Sequence, residues 1–134
     1  MLIAHLSDLH IAAGTPETAP VRRDAPDMAR LIVANLLTLP QRPDAVLITG
    51  DVADGGSDAD YALVRQILAP LPMPVFVVPG NHDRRGPMRA AFGATIPYAA
   101  ASTLQFEAQV AGARIIGLDS LVPGRVEGDL DAAQ

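Results

Sequence analysis

Three short polar clusters carry the residues of this chain that could do chemistry. They read Ser7-Asp8-Leu9-His10, Thr49-Gly50-Asp51-Val52-Ala53-Asp54 and Pro79-Gly80-Asn81-His82-Asp83. Five side chains in them could ligate a metal ion or contact a phosphate group: Asp8, His10, Asp51, Asn81 and His82. Hard oxygens combined with imidazole nitrogens suit manganese, iron, zinc or cobalt better than calcium. The residue types therefore predict a site for a pair of divalent metal ions.

Each cluster by itself has a simpler interpretation. An isolated Asp-x-His is more often a polar exit from a strand, and a Gly-Asp pair after an apolar run is usually a turn whose aspartate caps the next helix. Gly80-Asn81-His82-Asp83 is rarer, because Asn and His have no strong structural reason to follow Gly together. The order of the three clusters, each at the end of a predicted strand, favours the metal site over these alternatives.

The elements that must position the clusters follow from the apolar pattern. Each cluster terminates a short apolar run, and we predict strands at Leu2 to Leu6, Ala45 to Thr49 and Val75 to Val78. Amphipathic helices are predicted between them, one from Asp24 to Leu39 and one that begins with a Ser57/Asp60 capping box. This alternation predicts right-handed βαβ units and a parallel sheet, whose strands share one carboxyl edge. The clusters should meet there.

The second part of the chain predicts a different arrangement. A short helix is expected from Pro87 to Phe92, and residues 104–110 alternate between apolar and polar. Ala111-Gly112 is a plausible turn into another strand over residues 114–118, which predicts an antiparallel hairpin. Residues 11–23 are predicted to form a loop. From Asp129 onward an acidic turn indicates the start of a further helix, so the single domain 1–134 is expected to be truncated at its C-terminus.

Composition excludes several classes of function. All ten basic residues are Arg, which removes every mechanism that needs a lysine, and the absence of cysteine removes disulfides and thiolate chemistry. A net charge of −5 argues against general binding to nucleic acid or anionic membranes. There is no apolar run of the roughly 20 residues that span a bilayer. We expect a soluble, cytoplasmic protein, and the sequence leaves open whether it forms a homo-oligomer.

The three clusters, in this order and on these strands, resemble the first three motifs of the metallophosphoesterase (calcineurin-like phosphoesterase) superfamily. The segments His5-Leu6-Ser7-Asp8-Leu9-His10, Arg42-Pro43-Asp44-Ala45 and Ile116-Gly117-Leu118-Asp119-Ser120 are similar to its bacterial cyclic-nucleotide and glycerophosphodiester phosphodiesterase branch. The resemblance covers residues 2 to about 131. It implies an α/β fold, an αββα sandwich with a mainly parallel βαβ sheet and an antiparallel hairpin.

The resemblance also implies roles for individual residues. Asp8 and His10 would bind one metal, Asp51 would bridge both metals, and Asn81 would bind the second. His82 would touch the phosphate and stabilise the transition state or protonate the leaving group, and Asp54 would orient His82. The implied activity is hydrolysis of a phosphodiester or phosphomonoester by a hydroxide that two divalent ions activate. The substrate would be a small molecule, a cyclic nucleotide or a glycerophosphodiester.

One departure from the family pattern concerns histidine. The family completes its site with a further His and a Gly-His-x-His motif, whereas this chain has no histidine after His82. His5 lies inside the first strand, about 10 Å before Asp8 at 3.3 Å per residue, and is expected in the core or between sheets. We therefore expect the 134 residues to be the N-terminal part of a longer enzyme, binding metal weakly and turning over little. The alternative is a catalytically silent interaction module on the same fold.

Three further residues have two interpretations each. Arg84 and Arg85 follow the third cluster and could reach a substrate phosphate, since Arg pairs bidentately with phosphate oxygens, but such a pair is more often solvated. Asp119 ends a predicted strand and could support the site or cap a turn.

Overall fold

The architecture follows from a computed structural model, which describes residues 1–14, 24–130 and 132. Its strands are β1 (Ile3–Leu6), β2 (Ala45–Thr49), β3 (Val75–Val78), β4 (Phe106–Val110) and β5 (Ala113–Gly117). Its helices are α1 (Ala25–Thr38), α2 (Asp58–Leu68) and α3 (Arg85–Phe92). Most of the predicted loop lies outside the described residues, as does most of the helix expected to start after Asp129.

The first three strands form a parallel sheet in the order β1-β2-β3. His5 of β1 is in register with Leu47 of β2, and Leu47 with Phe76 of β3. Val46 and Ile48 on one face of the central strand, and Ala45 on the other, are at most 1% exposed and share one core with buried residues of α1 and α2. Burial on both faces explains why β2 reads as a continuous apolar run. The predicted parallel α/β arrangement is confirmed.

The last two strands form the predicted antiparallel hairpin. Its turn has positive φ at Ala111 (48°) and Gly112 (81°), the pattern of a type I′ turn. The Phe106 ring stacks on Phe76 of the parallel sheet, with ring centroids 5.2 Å apart. Gly117 of β5 pairs with Phe106 of β4, and only glycine fits there, because a Cβ on residue 117 would lie 2.1 Å from the Phe106 ring. The hairpin therefore covers part of one face of the parallel sheet.

Three predictions needed correction. His5 is exposed rather than in the core, because its part of the sheet face is not covered by the hairpin; its Nε2 lies 2.6 Å from the Thr49 hydroxyl. β4 begins at Phe106 rather than Leu104, since the Leu104 N–H donates to the Asp119 carboxylate and not to a strand. α3 begins at Arg85, two residues before the predicted start.

Helix starts otherwise agree with the sequence. The Ser57/Asp60 capping box is formed in both directions at the N-terminus of α2. Asp60 is 5% exposed and also accepts the Ala13 N–H at 2.7 Å. The cap thereby ties the start of α2 to the loop that follows β1. In the part of the chain that the structure describes, no helix is both long enough and apolar enough to cross a bilayer.

A buried ion pair fixes the segment after β5. Asp119 is fully buried and accepts two hydrogen bonds from the Arg85 guanidinium, at 2.6 and 2.8 Å. It also accepts the backbone N–H groups of Leu104 and Leu121. Arg85 is therefore engaged by Asp119 and is not free for substrate. The pair joins the start of α3 to the ends of the hairpin.

We expect Asp119→Asn to lower the free energy of unfolding by about 3 kcal/mol, the lower end for breaking a buried pair, since Arg85 retains some contact with water. Urea denaturation followed by circular dichroism measures the change. The matched control is Glu107→Gln, which breaks the exposed pair between Glu107 and Arg114 (2.7 Å) and should cost less than about 1 kcal/mol. Equal losses in the two variants would show that the Asp119 pair contributes no more than a surface contact.

Candidate metal centre

The loops that follow β1 and β2 run side by side. The N–H of His10 donates to the Asp51 carbonyl at 2.9 Å, and the N–H of Ile11 to the Val52 carbonyl at 3.2 Å. The Asp54 N–H returns to the Ile11 carbonyl at 3.0 Å. These bonds continue the parallel pairing beyond the strands. Backbone hydrogen bonds thus hold the first two clusters against each other.

Three candidate ligands have left-handed backbone conformations. The φ angles are 56° at Asp8, 44° at His10 and 49° at Asp51; the fourth such non-glycine residue in the described part of the chain is Ala111, in the hairpin turn. Asp and His tolerate this region better than most residues, yet each instance costs about 1–3 kcal/mol. Strain of this kind concentrates at functional sites. Here it falls on residues that the sequence selects for their chemistry.

The third cluster reaches the second because two glycines meet. A Cβ on Gly80 would lie 2.3 Å from Oδ1 and 2.4 Å from the backbone nitrogen of Asp51. A Cβ on Gly50, where φ is 91°, would lie 3.1 Å from the Gly80 Cα. This close approach lets the His82 N–H donate to Asp51 Oδ1 at 3.0 Å. The three clusters therefore converge on Asp51.

The ligand atoms have a spacing that fits a cation. His10 Nε2 lies 3.7 Å from Asp51 Oδ2 and 4.0 Å from Asp8 Oδ1, too far for hydrogen bonds. One ligand atom each from His10, Asp51 and His82 lies within 4.8 Å of the others. Ligands about 2.0–2.2 Å from one ion are separated by up to about 4.4 Å. The His10–Asp51 and His10–Asp8 separations are within this limit and fit one divalent ion, whereas the 4.8 Å bound on the group that includes His82 exceeds it.

Asp54 lies between the two histidines. Its Oδ1 is 3.2 Å from Nδ1 of His10 and 3.4 Å from Nδ1 of His82, and its backbone carbonyl accepts from His82 Nδ1 at 3.1 Å. Because these oxygens accept, Nδ1 is the donor of each ring, and in the neutral tautomer that this favours Nε2 keeps its lone pair for a ligand. Histidines that bind metals are commonly oriented this way by a carboxylate. The sequence linked Asp54 to His82; the structure places it beside His10 as well.

A buried Asp83–Tyr61 network, which the sequence analysis did not identify, supports all three clusters. Asp83, 4% exposed, accepts the N–H groups of Val52, Ala53 and Gly80 and the Tyr61 hydroxyl, at 2.8–3.1 Å. The same hydroxyl accepts the Arg84 N–H at 3.1 Å. Burial raises the pKa of both side chains, and it keeps Tyr61 protonated as a donor. A signal was present, because a tyrosine on a buried helix stripe needs a partner for its hydroxyl.

Two predicted site residues lie at the surface of the centre. Asp8 has a side chain that is 66% exposed, with the Ser7 hydroxyl donating to it. Asn81 is exposed and lines a cavity of about 710 Å³ together with His82. Arg84 lines the same cavity. The structure thus gathers Asp8, His10, Asp51, Asp54 and His82 and places Asn81 at the cavity wall beside them.

Comparison with known proteins adds two findings. A model of the family described as calcineurin-like phosphoesterase matches residues 1–127. The chain is 34% identical over 137 residues to a cAMP/cGMP dual specificity phosphodiesterase from Mycobacterium tuberculosis, with 99% of this chain and 42% of the relative covered. It is 33% identical over 135 residues to a 3′,5′-cyclic adenosine monophosphate phosphodiesterase from Pseudomonas aeruginosa, covering 100% and 47%.

A third relative carries a different substrate name. This probable glycerophosphodiester phosphodiesterase from Arcobacter nitrofigilis is 29% identical over 130 residues, with 97% of this chain and 47% of the relative covered. The chain therefore spans a little under half the length of the three relatives described.

Proposed function

Because the chain belongs to the calcineurin-like phosphoesterase family, we propose that it forms the metal-binding part of a phosphodiesterase acting on small molecules. The observation that carries this is the convergence of His10, Asp51 and His82 on three loops, where one nitrogen or carboxylate oxygen of each lies within 4.8 Å of the others, so that an ion held by His10 and Asp51 would lie beside His82. Family membership supports a phosphoric ester hydrolase. The names of the relatives favour a cyclic nucleotide or a glycerophosphodiester as substrate.

Each residue has a proposed part in the reaction. Asp8 and His10 would hold one divalent ion, Asp51 would bridge two, and Asn81 would hold the second. Bound ions would supply an activated water and neutralise charge on the attacking and leaving oxygens. Asp54 holds Nδ1–H of His82, which leaves Nε2 able to face the phosphate or, once protonated, the leaving oxygen. Asp51 is fixed from the other side by the His82 N–H.

The donors within the 134 residues limit what this chain does by itself. Its histidines are His5, His10 and His82, and the Nε2 of His5 contacts the Thr49 hydroxyl and not a candidate ligand. We therefore expect weak metal binding and slow hydrolysis of bis(p-nitrophenyl) phosphate by this chain alone. Hydrolysis at a rate typical of enzymes, abolished by Asp51→Asn, would show that no further ligands are needed.

Binding of ethyl phosphate tests the proposed division of roles. By isothermal titration calorimetry, ethyl phosphate should bind the chain only when Mn²⁺ is present. His82→Ala should weaken ethyl phosphate binding about tenfold, the loss of one charge-assisted hydrogen bond, and leave Mn²⁺ binding unchanged. His5→Ala is the matched control and should change neither.

Two results would contradict the proposal. Ethyl phosphate that binds equally well without Mn²⁺ would separate phosphate binding from the metal centre. Loss of Mn²⁺ by the His82→Ala variant would make His82 a metal ligand and not the group that contacts the phosphate.

A further inference from the structure

The cavity of about 710 Å³ beside His82 has a basic wall. Three arginines line it: Arg84 and Arg85, at the start of α3 directly after the third cluster, and Arg125, in the loop after β5. The chain as a whole has a net charge of −5, so a group of arginines next to its carboxylate centre is not what its average composition predicts. The cavity opens directly on the residue proposed to contact the phosphate.

Two of these three charges are not compensated inside the protein. Arg85 is neutralised by Asp119. The two aspartates of the cavity wall are also engaged, Asp83 by four donors and Asp54 by the histidines. No hydrogen bond or ion pair joins the guanidinium of Arg84 or of Arg125 to any other residue within 1–14, 24–130 and 132. Two free cations therefore face the space that adjoins the phosphate site.

Both arginines are exposed, and their surroundings fix the points from which the side chains extend. The stem of Arg84 packs on Gly56, where φ is 65° and an added Cβ would lie 2.8 Å from Arg84 Cγ. Arg125 is on a closed loop, in which its own N–H donates to the Val122 carbonyl at 3.1 Å and the Asp129 N–H to the Ser120 carbonyl at 2.9 Å. The buried Arg85–Asp119 pair anchors the start of that loop. The backbone thus places both arginines at the cavity wall, and their guanidinium groups extend from fixed positions.

We propose that Arg84 and Arg125 bind a second anionic group of the substrate, a carboxylate or a phosphate remote from the reacting phosphorus. Guanidinium groups pair with both anions through charge-assisted hydrogen bonds. The same wall disfavours a substrate whose alcohol carries a cation, such as a quaternary ammonium group. This inference rests on the proposed function, because it assumes that the reacting phosphate lies at His82 and the metal ligands.

Matched phosphate monoesters test the proposal in the 134-residue chain saturated with Mn²⁺. Ethyl phosphate supplies one anion, phosphoglycolate adds a carboxylate, and ethane-1,2-diol bisphosphate adds a phosphate. Calorimetry should show about tenfold tighter binding of at least one two-anion compound than of ethyl phosphate, in line with one charge-assisted contact. Which compound gains more identifies the anion.

Variants separate the two arginines from general electrostatics. The double variant Arg84→Gln/Arg125→Gln should lose the preference for a two-anion compound over ethyl phosphate. Its affinity for ethyl phosphate should be unchanged. Arg114→Gln, on the hairpin and paired with Glu107, removes one positive charge away from the cavity and should keep the preference, as should each single variant in part if the two arginines share the anion.

The outcomes distinguish this inference from the function on which it rests. A preference that survives in the double variant, or is absent while ethyl phosphate binds, overturns the inference and leaves the proposed function standing. Failure of all three compounds to bind the Mn²⁺-loaded chain overturns both.

Discussion

Asp83→Ala is expected to destabilise the chain by at least about 4 kcal/mol. The carboxyl group accepts from three backbone N–H groups and one hydroxyl at the junction of all three clusters. Each donor left unpaired in a buried site costs about 1–3 kcal/mol, and domains are stable by only about 5–15 kcal/mol in total. The variant should therefore be largely unfolded, or folded with its site loops disordered.

Urea denaturation and amide NMR spectra measure this effect. Tyr61→Phe is the graded control, because it removes only the hydroxyl that joins Asp83 to the Arg84 N–H. It should cost about 1–2 kcal/mol. An Asp83→Ala variant within about 1 kcal/mol of the parent chain would mean that water replaces the carboxylate and that the network does not support the site.

The second large effect is expected on metal affinity. Asp51→Asn should weaken Mn²⁺ binding by at least about a hundredfold. Mutating a residue that only hydrogen-bonds to a metal ligand already lowers metal affinity about 10–100-fold, and loss of a ligand should cost more. Asp51 faces His10 with one oxygen and accepts the His82 N–H with the other. An amide keeps the shape of the side chain but loses its charge and one of its acceptor oxygens. The fold should therefore survive while the site is lost.

The fold was largely predictable because its signals are local. β2 and β3 have the bounds that their apolar runs predict, and the capping box places the start of α2. Convergence of the clusters followed from topology, since parallel strands share a carboxyl edge. The left-handed conformations of Asp8 and Asp51 were not predicted, although aspartate is among the residues that tolerate them.

The contacts that complete the site could not be predicted from local spacing. Arg84 and Arg85 are neighbours of the same type, yet Arg85 pairs with buried Asp119 and Arg84 faces the cavity. The difference depends on where a loop 34 residues later comes to lie. The role of Asp83 could not be predicted for the same reason, because its hydrogen-bond donors lie on three separate segments. Side-chain directions of this kind are set by packing across the fold.

The central claim is that the converging clusters form a divalent metal site. Titration of the chain with Mn²⁺, followed by calorimetry and by the electron paramagnetic resonance signal of the free ion, tests it directly. The parent chain and the control Asp27→Asn, which alters an exposed aspartate on α1, should bind Mn²⁺ equally. Asp51→Asn should bind it at least about a hundredfold more weakly. A parent chain that takes up no Mn²⁺ at millimolar concentration, or an Asp51→Asn variant that binds it as tightly, would contradict the claim.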